Sequence, residues 1–136
     1  MSYELREHTA DIAVEATGET FSAVAGAVAD GLAAAMCEDV PETGERFELS
    51  VTAESREAVL FEYLDELIYE RDVRSVLPVD NEATVVEDDG EWTVDATARG
   101  VPLADVTARE VKAVTYSEMA LERRDGEWYA YVVFDV

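Results

Sequence analysis

The sequence predicts an α+β fold, with two amphipathic helices packed on a mostly antiparallel sheet of six to eight strands. Three observations carry the prediction. Two segments place apolar residues at helical spacing, several shorter ones alternate at the period of a strand, and two Asp-Gly pairs interrupt strand-like runs as hairpin turns do. The 136 residues and 15.0 kDa amount to a single domain, expected over 1–136. With 49% hydrophobic residues the chain has ample material for a core.

In chain order, residues 3–7 and 12–17 read as two short strands flanking His8-Thr9-Ala10-Asp11. From Thr20, a good N-cap, the apolar residues Phe21, Val24, Ala25, Val28, Leu32, Ala35 and Met36 follow the i, i+3, i+4 rule of a helix that ends before the turn at Pro41 and Gly44. Phe47, Leu49 and Val51 alternate with Glu48, Ser50 and Thr52, as in a half-buried strand. A second helix is expected from Ser55, with Leu60, Phe61, Leu64, Leu67 and Ile68 on one face and Arg56, Glu62, Asp65 and Glu66 in water. After Pro78 the chemistry turns to strands. Residues 84–86 and 92–94 flank Asp-Asp-Gly-Glu, 120–122 and 128–134 flank Arg-Arg-Asp-Gly-Glu, and 111–116 read as one further strand. Helices covering one sheet face complete the expected architecture.

Charge excludes several functions. There are 32 Asp and Glu against 10 Lys and Arg, for a net −22, so no basic face for nucleic acid is expected. No apolar run is long enough for a membrane span and no signal-peptide h-region follows Met1, so the expected location is the cytoplasm. Nine of the ten cations are arginine and Lys112 is the only lysine. Such a lysine-poor acidic surface resembles that of proteins from salt-accumulating halophiles, where a short Debye length screens the self-repulsion.

Few residues can carry chemistry. No phosphate loop, nucleophile elbow, Cys-x-x-Cys or His-Glu-x-x-His is present. The lone Cys37 lies on the apolar side of the first helix and reads as a buried structural residue. Asp11, with His8 and Thr9, either caps a turn or offers oxygens to a cation. Asp135 lies one residue from the α-carboxylate of Val136; it is either the wet end of an edge strand or half of a carboxylate pair that needs a positive charge. If the last strand pairs near the first, Asp11 joins that pair in an all-oxygen site. Lys112 is a point-charge partner for phosphate or carboxylate, or simply one cation among ten.

The motifs His-Thr-Ala-Asp-Ile at 8–12, Tyr-Leu-Asp-Glu-Leu-Ile-Tyr at 63–69, Glu-Val-Lys-Ala-Val-Thr-Tyr at 110–116 and the final Phe134-Asp135-Val136, together with the helix that opens at Phe21, resemble the archease family over residues 3–136. Ser117 stands where many relatives carry histidine, and Val136 where isoleucine is more usual. The resemblance implies an accessory protein of the RtcB-type RNA ligase in tRNA splicing, one that promotes guanylylation of the ligase and its multiple turnover without joining RNA itself. It also implies a divalent-metal site, usually calcium, with Asp11, Asp135 and the terminal carboxylate of Val136 as ligands. His8 is then a candidate to orient the metal loop and Lys112 a further functional candidate. Two rival functions are an independent metal-dependent phosphohydrolase on the same carboxylates and a chaperone-like interaction module.

Overall fold

The computed structural model describes residues 2–7 and 11–136. The elements run β1 (Ser2–Glu7), β2 (Asp11–Gly18), α1 (Phe21–Met36), β3 (Glu45–Ala53), α2 (Arg56–Arg74), β4 (Val76–Asp88), β5 (Glu91–Pro102), a 3-10 turn (Leu103–Asp105), β6 (Ala113–Arg124) and β7 (Glu127–Asp135). Both helices start where their caps predict. Thr20 Oγ1 accepts the Ala23 N–H at 3.0 Å and Ser55 Oγ accepts the Ala58 N–H at 3.1 Å, each satisfying a donor that has no partner within its helix.

The seven strands do not form one sheet. They divide into a four-stranded sheet of order β1-β2-β7-β6 and a three-stranded sheet of order β3-β5-β4, with every pair antiparallel. Both helices lie between the two sheets, where a single covered face had been expected. The physical reason is visible in α1, in which 12 of 16 residues are buried. A helix that is apolar nearly all round needs cover on two sides. Gly31 of α1 lies so close to Val14 of β2 that an added Cβ would stand 2.5 Å from its Cγ1. On the opposite side Ser22 Oγ accepts the Val85 N–H of β4 at 2.8 Å, and Asp30 Oδ1 accepts the Asn81 N–H at 2.9 Å. Phe21 spans the gap, its ring 5.6 Å from Trp92 of one sheet and 5.2 Å from Trp128 of the other. α2 repeats the arrangement, with Phe61 stacked on Tyr116 of β6 at 4.1 Å and Arg74 4.5 Å over Phe47 of β3. One core holds Val28, Leu32, Leu60, Leu64, Val94, Val132 and Phe134 from all these layers; each fully buried aliphatic side chain of this kind contributes about 1.5–3 kcal/mol.

Both expected hairpins are present. Asp89-Gly90 and Asp125-Gly126 all have φ between 51° and 83°, the positive values that a two-residue turn matched to strand twist requires. Two strand expectations change. β4 begins at Val76 and includes Pro78, which is tolerated because β4 is an edge strand, with a register shift between Val79 and Glu82. Residues 111–116 and 120–122 are not separate strands: β6 runs unbroken from Ala113 to Arg124 with a bulge between Thr115 and Ala120, where Glu118 has φ 58°. Val111 and Lys112 lie just before it.

Candidate metal centre

The last strand pairs directly with the second, the one that opens at Asp11, and so lies one strand away from the first. β2 and β7 are neighbours in register, with Asp11 opposite Asp135 and Ile12 opposite Phe134. Residues opposite one another in an antiparallel pair have Cβ atoms about 4.5–5.5 Å apart and point to the same face. For Asp11 and Asp135 that face is the one turned away from the helices, since Val14, Val132 and Phe134 on the other face join the core cluster, whereas Ala13 and Val133, buried beside the carboxylates, do not. Asp135 also pairs with Ala113 across β6, and its carbonyl accepts the Lys112 N–H at 2.8 Å. Thus Asp11, Lys112, Asp135 and Val136, scattered along the sequence, share one corner of the four-stranded sheet. Asp11 and Val136 are half-buried, Val136 packing against the core, while Lys112 and Asp135 are exposed. His8 and Thr9 lie outside the described residues.

Opposed like charges destabilise a strand pair unless a cation separates them. Among the described residues, none of Asp11, Asp135 and Lys112 makes an ion pair. Nor do three or more His, Cys, Asp or Glu side chains gather anywhere among them in a metal-binding group. The corner supplies two side-chain carboxylates, so further ligands have to come from the terminal carboxylate, main-chain carbonyls or water. These are all hard oxygen donors. Among the described residues the set fits a hard divalent cation such as calcium better than zinc or copper, which favour nitrogen and sulfur. Cys37 is buried elsewhere, its Sγ donating to the Asp39 carbonyl at 3.3 Å, and takes no part. Ser117 is exposed in the β6 bulge, with its N–H on Thr115 Oγ1 at 3.1 Å.

Sequence reasoning missed one residue here. Arg71 of α2 is buried, 6% exposed, and its Nη1 donates to the Val111 carbonyl at 2.8 Å and to Met36 Sδ at 3.3 Å. Its Nη2 and Nε reach Asp72 Oδ1 at 3.0 and 3.1 Å. The signal was available: Arg71 continues the stripe of Leu64, Leu67 and Ile68 at i+7, i+4 and i+3, so a charge stands where the helical pattern demands an apolar residue.

The sequence model of the Archease protein family matches residues 3–136. This chain belongs to the archease family. It is 32% identical to the protein archease of Pyrococcus furiosus, covering 98% of both chains. It is 34% identical to that of Methanosarcina mazei, covering 98% of this chain and 95% of the relative. The solution structure of Methanobacterium thermoautotrophicum protein 1598 shares the archease fold with it at a TM-score of 0.86 and 28% identity, covering 98% of each chain. A crystal structure from Thermotoga maritima, described as an archease and possible chaperone, matches with a TM-score of 0.65 at 23% identity over 98% of this chain and 96% of its own. No helix among the described residues is long and apolar enough to cross a membrane.

Proposed function

We propose that this archease is an accessory protein of the RtcB-type RNA ligase of tRNA splicing, promoting guanylylation and repeated turnover of the ligase, and that it works through a divalent cation held by Asp11, Asp135 and the terminal carboxylate of Val136. The observation that carries the reading is the register of β2 against β7, which sets two carboxylates face to face in a chain of this family. A calcium ion, when bound, would supply a positive charge between the two carboxylates, which have no cation partner among the described residues. The protein's own groups do the rest. Asp11 and Asp135 orient the oxygen donors, while Lys112 holds an ammonium at the same corner, suited to meet a phosphate or carboxylate of the partner. His8 adjoins the corner in sequence and is a candidate to orient it.

The net charge of −22 argues for a protein target rather than RNA. A basic RNA-binding cleft on the ligase suits an acidic partner at its rim, and in concentrated salt contact complementarity has to supply most of the affinity. An accessory protein accelerates guanylylation only if it binds the nucleotide-competent state of the ligase better than the resting one. The test follows transfer of labelled GMP to limiting ligase at high salt. Stimulation by the native protein and its loss in Asp11→Ala and Asp135→Ala are expected; equal stimulation by both variants would remove the carboxylate corner from the account. Phosphatase or nuclease turnover by the purified protein alone would replace this reading with an independent metal-dependent hydrolase. Capture of unrelated unfolded proteins would favour a chaperone, the role suggested for the Thermotoga maritima protein.

A further inference from the structure

Arg71 is the only buried charged side chain among the described residues, and no part of the proposed function uses it. We propose that Arg71 is a positioning residue, which fixes the peptide unit between Val111 and Lys112 and thereby the corner where Lys112 and Asp135 meet. The inference rests on the reading of that corner as the working site.

The geometry is specific. Val111 C=O and Lys112 N–H are the two ends of one planar peptide unit. Arg71 Nη1 holds the carbonyl at 2.8 Å, and the Asp135 carbonyl holds the N–H at 2.8 Å. A plane pinned at both ends cannot rotate, so the direction in which the chain enters Lys112 is set from inside the core. The surrounding segment needs such a device because strand pairing begins only at Ala113. Between the 3-10 turn and that residue, the other main-chain anchor to a distant element is the Arg109 N–H on the Met36 carbonyl at 2.7 Å. Met36 is also the residue whose sulfur Arg71 touches at 3.3 Å, so one guanidinium ties the end of α1, the end of α2 and the approach to β6.

Stability alone is a poor reason for this arginine. Burying a guanidinium carries a large desolvation penalty, and replacing a buried charge by an apolar side chain of similar volume is often neutral or stabilising. What an apolar residue cannot do is hold a carbonyl. Without its donor, the Val111 oxygen is an unsatisfied buried acceptor, and the peptide unit is free to turn toward water.

The experiment compares Arg71→Met, Arg71→Lys and the native protein by amide hydrogen exchange at Lys112, calorimetric titration with Ca2+ and thermal unfolding without metal. Arg71→Met is expected to fold with at most a modest drop in unfolding temperature, while Lys112 exchange speeds up and Ca2+ affinity falls, each on the order of 10-fold. Arg71→Lys, which keeps a donor for Val111, recovers most of both. Native exchange and native Ca2+ affinity in Arg71→Met would overturn the proposal. If Arg71→Met does not fold, Arg71→Gln, polar but too short for the Val111 oxygen, is read by the same criteria. Failure of both to fold assigns Arg71 to stability and overturns it as well. A native protein that binds no Ca2+ sinks the metal reading of the corner, whereas the exchange rate at Lys112 decides the positioning role by itself.

Discussion

The two ends of the four-stranded sheet treat charge in opposite ways. At the β6–β7 hairpin the arginines and Tyr129 have company. Arg56 and Arg123 stand 5.3 and 5.7 Å from the ring of Trp128, Arg124 lies 3.7 Å over Tyr129 and pairs with Glu122, and the Tyr129 hydroxyl donates to Glu15 at 2.8 Å. Burial, followed by the Glu15 contact, pushes the Tyr129 hydroxyl above its ordinary range, which keeps it protonated as the donor. At the far end of the same strands, Asp11 faces Asp135 with no cation paired to either among the described residues. The compensated end is built for stability. The uncompensated end departs from the local rule, and such departures collect where a protein works.

The largest expected effect tests the stable end. Trp128→Ala removes the ring that joins Phe21 to two arginines, and should cost about 3 kcal/mol in urea unfolding while leaving Ca2+ titration unchanged. A matching loss of Ca2+ affinity would merge the two ends into one unit. Next, Asp135→Ala should lower Ca2+ affinity on the order of 100-fold by calorimetry, since affinity follows the number of charged ligands, with little change in metal-free stability. A smaller effect sharpens the contrast further. Asp11→Asn removes the opposed charge, so the metal-free protein should gain about 0.5 kcal/mol at low salt, and added Ca2+ should no longer raise its unfolding temperature. A loss of metal-free stability would mean that the carboxylates are already compensated.

The smallest effect lies on α2, which runs between the two ends. Burial comes first in raising the Glu66 carboxyl above its ordinary value, followed by its contact with Glu70 and the charges of Asp65 and Glu62. A raised carboxyl pKa means that the folded state holds its proton more tightly than the unfolded one. Its contribution to stability is therefore complete below the unfolded value and lost as pH rises through the folded one. Glu66→Gln should gain about 0.3 kcal/mol at neutral pH, the size of one relieved i,i+4 repulsion. That gain should vanish in acid and shrink in high salt, as followed by urea unfolding across pH.

Caps, hairpin turns and helix faces were legible because each depends on residues within one turn or one strand of each other. Thr20 and Ser55 cap, and the Asp-Gly pairs at 89–90 and 125–126 turn, for reasons a five-residue window contains. The oxygen donors were legible as chemistry, Asp11 and Asp135 being carboxylates wherever they fall. That they face each other was decided by the register of β2 against β7, a pairing across more than a hundred residues that no local preference specifies. The division into two sheets was likewise a tertiary outcome, because a helix apolar all round states that it needs two covers without saying which strands supply them. Arg71 marks the boundary between the two kinds of knowledge. Its place on the apolar stripe was written in the sequence, but its partner, the Val111 carbonyl, is a backbone group that every residue carries, and only the packing of α2 against the approach to β6 could select it.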